Sequence, residues 1–146
     1  DTMIKCGNIT LDAILNSKIS LAKNHNIKIE LDAYAKENMS VTDIDLCIIL
    51  GNLIDNAVDS CNLIKDPENR FINLYIDILK EQFYISITNS TSVEKHNSSG
   101  IYLTSKNKVM HGNGIKRIDM TVEKYNGIVD RQNEANVFCT EVMLPL

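Results

Sequence analysis

The sequence predicts a two-layer α/β sandwich, in which a mixed, mostly antiparallel sheet carries about three helices on one face. Three observations support this fold class. Apolar residues recur at helical spacing in three segments, and they alternate with polar residues in five others, as in half-buried strands. The two kinds of segment are interleaved along 146 residues, a length that suits one domain with its own core. We therefore expect residues 1–146 to form a single domain.

The first half of the chain supplies two helices and one strand. Residues 8–24 repeat apolar side chains at helical spacing, and residues 27–33 alternate as a strand. The second helix covers residues 41–61, where Thr42 or Asp43 can cap the first turn. This order is typical of a domain in which helices cover one face of a sheet.

The second half supplies four strands and one helix. Residues 71–79 and 83–88 alternate strongly, and the short turn between them predicts a hairpin. A third helix covers residues 114–125 and ends at Asn126-Gly127. Two final strands follow, at residues 128–131 and 136–144.

One segment breaks this regular pattern. Residues 89–113 are rich in Asn, Ser, Thr, Lys and Gly and show little periodicity. A loop of this length inside a compact domain usually carries function. We therefore expect a functional loop between the hairpin and the third helix.

Charge and hydropathy exclude two classes of partner. The net charge is −4 and no basic patch is dense, which argues against a nucleic-acid surface. No apolar run approaches the roughly 18 residues of a membrane span. The first residues lack an initiator Met and the apolar stretch of a signal peptide. We expect a piece of a longer protein, namely a cytoplasmic domain that reaches a membrane only through upstream segments.

The four cysteines show no pairing typical of a metal site, such as Cys-x-x-Cys. Cys47 and Cys61 fall on the apolar face of the second helix, where we expect them to be small buried side chains. Free buried thiols fit a reducing cytoplasm.

The second helix carries an unusual polar face, formed by Asn52, Asp55, Asn56 and Asp59. Asn and Asp are mediocre helix formers, so a merely solvated face would more often use Glu and Lys. Hard oxygen ligands one turn apart suit a divalent cation with bound phosphates. Asp55 and Asp59 could order metal-bound water or Asn56, or could be solvated carboxylates. The apolar face comprises Leu46, Cys47, Leu50, Leu53, Ile54, Ala57, Val58 and Cys61.

Two glycines, Gly112 and Gly114, lie where the polar segment enters the third helix. Glycine lets the backbone approach a ligand closely, and a helix start offers free N–H groups to anionic oxygens. Lys106 and Lys116 add positive charge nearby. A lone Gly-x-Gly is also compatible with a simple turn before a helix.

Together these motifs resemble the GHKL ATPase superfamily, which includes gyrase and the histidine kinases. Asn52-Leu-Ile-Asp-Asn-Ala57 resembles its N-box, and Gly112-Asn-Gly114 resembles its second glycine box. The order of elements matches the Bergerat nucleotide-binding fold over nearly the full length. Within the superfamily, the chain is most similar to catalytic domains of sensor histidine kinases that sense quorum peptides. That narrower resemblance rests on Gly7-Asn8, Leu11-Asp12, Asp45-Leu46, Thr104-Ser105-Lys106, His111-Gly-x-Gly, Lys124-Tyr-Asn-Gly127 and Phe138…Leu-Pro145.

The resemblance implies a role for each polar residue of the second helix. Asn56 would hold Mg²⁺, which bridges the phosphates of ATP, and Asn52 would lie beside those phosphates. Asp59 would belong to the same nucleotide site. In the hydrolysing branches a Glu stands at the position of Asn52 and activates water. An amide cannot act as a general base, so phosphoryl transfer is expected rather than efficient hydrolysis.

The resemblance also gives roles to the loop. An ATP lid would cover residues 90–113, and the backbone of Gly112 and Gly114 would cradle the phosphates. Lys106 and Lys116 would be phosphate cations. His111 would order the end of the lid or touch a phosphate.

One departure concerns adenine recognition. Most of the superfamily has Asp-x-Gly-x-Gly after the central strand, whereas here Asn89 stands at the position of the Asp and the glycines are missing. An amide oxygen can still accept from the adenine amino group, but it lacks the charge. We therefore expect weaker nucleotide binding. Asn89 could instead be a turn residue that closes a strand.

The resemblance implies the ATP-binding catalytic domain of a two-component sensor histidine kinase. It would donate the γ-phosphoryl group to a histidine in a separate dimerisation domain, and a response regulator would receive it next. His25, His96 and His111 are not expected to be that acceptor, so little turnover is expected from this chain alone. The alternatives are an anti-sigma-type serine/threonine kinase on the same fold, or a degenerate module that binds partners but no nucleotide.

Overall fold

The computed structural model describes residues 3–92 and 108–146, which form three helices and a five-stranded sheet. This architecture confirms the predicted two-layer sandwich. The elements are α1 (Ile9–Asn24), β1 (Lys28–Ala33), α2 (Asp43–Asn62), a 3₁₀ turn (Pro67–Asn69), β2 (Phe71–Leu79), β3 (Gln82–Ser90), α3 (Lys108–Lys124), β4 (Ile128–Glu134) and β5 (Val137–Pro145).

The sheet is mixed and mostly antiparallel, as predicted. Its strand order is β1-β2-β3-β5-β4, in which only the β1–β2 pair is parallel. Two tight turns join the hairpins. Lys80 and Glu81 adopt φ values of 50° and 62°, and Asn136 adopts 64°. Left-handed residues in such turns match the right-handed twist of the strands that they connect.

The three helices pack on one face of the sheet and form one core with it. Helix α2 is central, because it contacts both α1 and α3 as well as β2 and β3. Alternation along β3 turns Phe83, Ile85 and Ile87 toward the helices. The intervening Tyr84 and Ser86 lie on the opposite face of the sheet. Burial of these apolar side chains is the main stabilising term of the fold.

Side-chain caps fix where the first two helices begin. Asn8 accepts a hydrogen bond from the Leu11 amide at 2.9 Å, and Thr42 accepts one from the Asp45 amide at 3.2 Å. Each bond satisfies an N–H group that the first helical turn leaves without a partner. Thr42 rather than Asp43 is therefore the cap of α2.

Helix α3 differs from the prediction at its start. It begins at Lys108, so Gly112 and Gly114 lie inside the helix rather than before it. A glycine inside a helix costs about 1 kcal/mol relative to alanine, which packing can offset. Strand β3 also continues to Ser90, so the predicted bounds of the lid, 90–113, are wrong at both ends: residue 90 lies in β3 and residues 108–113 lie in α3.

The burial of one cysteine was predicted wrongly. Cys61 is fully buried on α2, but Cys47 is exposed. The buried stripe includes Ile49 and Leu50 and leaves Cys47 beyond its edge. The stripe is therefore rotated slightly from the predicted apolar face.

Candidate functional site

Two asparagines lie one turn apart on the side of α2 that faces α3. Asn52 and Asn56 are both half-buried. The Nδ2 group of Asn52 donates to the Ile48 carbonyl of its own helix at 2.7 Å. This bond fixes the Asn52 amide and turns its Oδ1 acceptor toward α3, where Gly114 lies.

Gly114 brings the backbone of α3 directly onto this asparagine pair. A Cβ atom at Gly114 would lie 3.1 Å from Asn56 Oδ1 and 3.4 Å from Asn52 Oδ1. The first distance is shorter than a comfortable carbon–oxygen contact, so any side chain here would displace the amides. The structure thus joins three of the predicted site residues, Asn52, Asn56 and Gly114, in one place.

Asn89 lies deeper, in the wall of a small cavity between α2, α3 and the sheet. It is the penultimate residue of β3 and is 3% exposed, so it is not a turn residue. Its Nδ2 donates to the Ser90 carbonyl at 2.9 Å. The cavity has a volume of about 20 Å³, which is room for a single water. Its lining comprises Leu53, Asn56, Ala57, Ser60, Ile87, Asn89, Ile115, Ile118, Arg131, Phe138 and Thr140.

The cavity includes polar residues that the sequence analysis missed. Thr140 is 4% exposed on β5, and Ser60 is 7% exposed on α2. Thr140 occupies an inward position of an alternating strand, together with Val142 and Leu144. A hydroxyl at such a position is a weak signal, because a buried polar group needs a hydrogen-bond partner, and protein groups supply that partner as readily as a ligand does.

The two carboxylates of the polar helix face have different surroundings. Asp55 forms an ion pair with Lys18 of α1 at 2.7 Å. The Asp55 side chain is 48% exposed, so it is a partly solvated carboxylate that also joins two helices. Asp59 is half-buried one turn after Asn56.

The remaining predicted residues belong to the polar loop and to α3. Lys116 is exposed, two residues after Gly114. Gly112 lies in α3, whereas the side chain of His111 is outside the described part of the chain. Lys106 and His96 are also outside the described residues. Among residues 3–92 and 108–146, no group of three or more His, Cys, Asp or Glu side chains could hold a metal ion.

Two larger grooves lie elsewhere on the surface. One of about 700 Å³ runs between α1 and β1, and one of about 300 Å³ lies on the open face of the sheet across β1, β2 and β3. Neither is lined by a predicted site residue. The chemistry of the amides, rather than the size of the cavity, therefore identifies the candidate site.

Comparison with known proteins gives one family match and many structural neighbours. The model of the family described as "GHKL domain" matches residues 39–145. A probable C4-dicarboxylate sensor kinase of Halalkalibacterium halodurans is 26% identical over 98% of the chain. The chain spans only 28% of the length of that protein.

Solved structures share the fold at low sequence identity. The histidine kinase domain of a blue-light activated histidine kinase from Erythrobacter litoralis EL346 aligns over 93% of this chain and 59% of its own, with a TM-score of 0.72 and 11% identity. The nucleotide-free catalytic domain of histidine kinase ThkA aligns over 93% and 90% of the two chains, with a TM-score of 0.70 and 14% identity. None of the helices in the described residues is long and apolar enough to cross a membrane.

Proposed function

The chain belongs to the GHKL domain family, and from this premise we propose that it is the ATP-binding catalytic domain of a two-component sensor histidine kinase. The main support for the proposal is the close packing of Gly114 against the side-chain amides of Asn52 and Asn56. Two amide oxygens beside a close-lying backbone make a site for a cation and anionic oxygens. The similar protein whose name describes a sensor kinase supports the same function.

The chemistry of the asparagine pair fits a magnesium nucleotide. Asn56 would hold Mg²⁺ through its amide oxygen, with water and phosphate oxygens as the other ligands, since Mg²⁺ is usually bound by few protein groups. When bound, Mg²⁺ neutralises charge on the phosphates. Asn52 would lie beside the phosphates. Its amide cannot take a proton from water, which disfavours hydrolysis.

The phosphates would also contact α3 and the polar loop. We assign the backbone of Gly112 and Gly114 to the phosphates, with Lys106 and Lys116 as cations. His111, in the first turn of α3, would lie where the lid between β3 and α3 ends, and Asp59 would belong to the rim of the site. A positive group within a few ångströms of a phosphate oxygen gives useful charge neutralisation even when it is partly solvated.

The adenine would bind at the small cavity, where Asn89 would accept from its amino group and Thr140 would lie beside it. The amide has no negative charge, so this bond would be weaker than one to a carboxylate. The described cavity, at about 20 Å³, is smaller than a purine, so the ring would extend beyond its lining. We therefore expect modest affinity.

The reaction would be phosphoryl transfer to a histidine. The bond from the γ-phosphorus to the β–γ bridging oxygen breaks, and a bond from a ring nitrogen of the acceptor histidine to that phosphorus forms. ADP leaves and the ring proton passes to solvent. The acceptor would be supplied by a dimerisation domain outside residues 1–146, and a response regulator would receive the phosphoryl group.

The cellular setting is part of the same proposal. We place this domain in the cytoplasm, as part of a membrane-bound sensor, and we group it with quorum-peptide kinases on the motifs that it shares with them. The relative named for C4-dicarboxylates is compatible with this grouping, because the chain spans only 28% of that protein and leaves its other segments unmatched.

Titration calorimetry with ATP and Mg²⁺ tests the proposal on wild-type protein and Asn56→Ala. We expect saturable binding that requires Mg²⁺ and that weakens at least tenfold in the variant, since even outer-sphere metal partners contribute about that much. Asn73→Ala is the matched control, because Asn73 is exposed on β2 at the opposite face of the sheet. It should bind like wild type.

The opposite result would be equally informative. If wild-type protein bound no ATP at millimolar concentration, the kinase proposal would fail for this domain, and a degenerate module that binds partners would replace it. Equal loss in Asn56→Ala and Asn73→Ala would show that Asn56 has no specific role.

A further inference from the structure

A polar cluster around the buried carboxylate of Asp45 ties the first turn of α2 to the end of α3. We define it by Thr42, Asp45, Lys124 and Tyr125. The carboxylate of Asp45 accepts from Lys124 Nζ at 2.9 Å and from the Tyr125 hydroxyl. The Tyr125 hydroxyl in turn accepts from the Thr42 amide at 3.1 Å. The cluster therefore joins the cap of one helix to the last turn of the other.

Burial makes the cluster sensitive to the loss of a partner. Asp45 is 5% exposed, and a buried carboxylate is costly unless it is paired and hydrogen-bonded. The hydrogen bond from Tyr125, followed by that from Lys124, lowers the pKa of Asp45 below its ordinary value of 3.8. The two largest of these contributions come from the C-terminal end of α3, where Lys124 is the last helical residue and Tyr125 follows it.

The chain just after the cluster is also held firmly. Asn126 adopts a φ of 59°, and Gly127 then packs where a Cβ atom would lie 2.5 Å from the Met143 carbonyl oxygen of β5. This close packing requires glycine. The C-terminal end of α3 is thus attached to α2 on one side and to the sheet on the other.

The cluster and the asparagine pair lie at opposite ends of the same helix–helix contact. Helices α2 and α3 run antiparallel, since Asp45 meets Tyr125 whereas Asn56 meets Gly114. Eleven residues of α2 separate Asp45 from Asn56, which corresponds to roughly 16 Å along the axis. Neither Asp45 nor Tyr125 lines the small cavity, where we propose that the adenine binds.

We propose that Asp45, Lys124 and Tyr125 are positioning residues. They fix the C-terminal end of α3, so that Gly114 keeps one position against Asn52 and Asn56. This inference rests on the proposed function. Gly114 lies in the part of α3 that faces the asparagine pair, and a fixed far end limits how far that part of the helix can tilt. Without the contacts of Asp45 with Lys124 and Tyr125, α3 adopts more positions, so a smaller fraction of the molecules can bind nucleotide. The apparent Kd rises in inverse proportion to that fraction.

The test compares two tyrosine-to-phenylalanine variants. Tyr125→Phe removes the hydroxyl that Asp45 accepts from. Tyr84→Phe removes an equivalent tyrosine–carboxylate hydrogen bond, to Glu141, on the open face of the sheet. We expect the Kd for ATP with Mg²⁺ to rise about tenfold in Tyr125→Phe, as for one lost hydrogen bond to a charged group, and to stay within about twofold in Tyr84→Phe.

A second readout does not depend on nucleotide. Hydrogen–deuterium exchange without ATP should become faster in residues 113–118 of α3 in Tyr125→Phe, and should remain unchanged there in Tyr84→Phe. Lys124→Met keeps the inference testable if Tyr125→Phe folds poorly. The Lys124 side chain is 62% exposed, so this change leaves the packing intact and should give the same effects in weaker form.

The outcomes separate this inference from the proposed function. If wild-type protein binds ATP but Tyr125→Phe matches Tyr84→Phe in both affinity and exchange, the positioning role is overturned and the cluster only stabilises the fold. If wild-type protein binds no ATP, the proposed function fails. The exchange comparison then still decides whether the cluster holds α3.

Discussion

At Gly114, the lack of a side chain allows the backbone of α3 to lie against two amides of α2. The sequence indicated which residues form this contact. Asn52 and Asn56 are unusual on a solvated helix face, and the glycines indicated a close approach of the backbone. The sequence did not predict that Gly114 is helical, since a Gly-x-Gly before a helical pattern indicates a loop as readily as a helix interior. Thr140 was missed because a single hydroxyl in an apolar strand gives little signal by itself.

Alanine at Gly114 tests this close contact. In a helix interior, Gly→Ala should stabilise by about 0.5–1 kcal/mol, but here the new Cβ would lie 3.1 Å from Asn56 Oδ1. We expect Gly114→Ala to lose that gain and to weaken ATP binding several-fold, because the amides must shift. Calorimetry and urea unfolding measure both effects.

Gly51→Ala is the matched control for Gly114→Ala. Gly51 also lies in a helix, and a Cβ there meets only the Lys18 Cε atom, at 4.0 Å. This variant should gain about 0.5–1 kcal/mol in stability and should bind ATP normally. Equal ATP affinity in the two variants would contradict the proposed approach of α3 to the asparagine pair.

At the scale of elements, the helices and strands could be predicted from the periodicity of the sequence, whereas the contacts between them could not. The alternation of β2 and the apolar stripe of α2 are local signals, so their positions were predicted closely. The start of α3 was placed six residues late, because residues 108–113 contain only two apolar side chains, which are adjacent and show no helical period. The contact of Asp45 with Tyr125 joins residues far apart in the chain, which no local pattern predicts.

The Asp45 contact makes the junction of α2 and α3 sensitive to pH. The pKa of the Asp45 carboxyl is lowered in the folded state, chiefly by the hydrogen bond from Tyr125 and then by that from Lys124. A carboxyl with a lowered pKa stabilises the fold above the pKa of the unfolded chain, and the contribution disappears as the pH falls through the folded value. Stability should therefore decline below about pH 4, near the ordinary value for Asp.

Urea unfolding of wild-type protein and Asp45→Asn at several pH values measures this contribution. At pH 7 the variant should be less stable, because the charge that pairs with Lys124 is gone. The difference should begin to shrink as the pH falls below about 4, where Asp45 of the unfolded chain takes up a proton, and should disappear as the pH falls through the lowered pKa of the folded state. A difference that is the same at pH 7 and pH 3 would show that the charge of Asp45 does not contribute.

At the scale of the whole molecule, the fold class was predictable and the order of the strands was not. Alternating helical and strand signals indicate two layers around one core. The parallel pairing of β1 with β2 connects Lys28 to Phe71 across the whole of α2. Such a pairing depends on how a helix crosses the sheet, which is a property of the assembled core rather than of either strand.

The core itself tests whether the chain is one cooperative unit. Buried apolar residues from Cys6 to Leu144 form a single cluster, to which all three helices and the sheet contribute. Leu50 is fully buried at its centre, so Leu50→Ala should reduce the free energy of unfolding by about 2–5 kcal/mol. Leu79→Ala, at a side chain that is 43% exposed, should cost far less.

We expect both variants to unfold in one transition, seen alike by circular dichroism and by tyrosine fluorescence. If residues 1–146 are a single domain, Leu50→Ala moves that transition to lower urea without changing its slope, because the surface exposed on unfolding is the same. Two separate transitions, only one of them shifted, would contradict a single domain. In that case α1 and β1 would unfold apart from α2 and α3, and the nucleotide site would belong to the second unit alone.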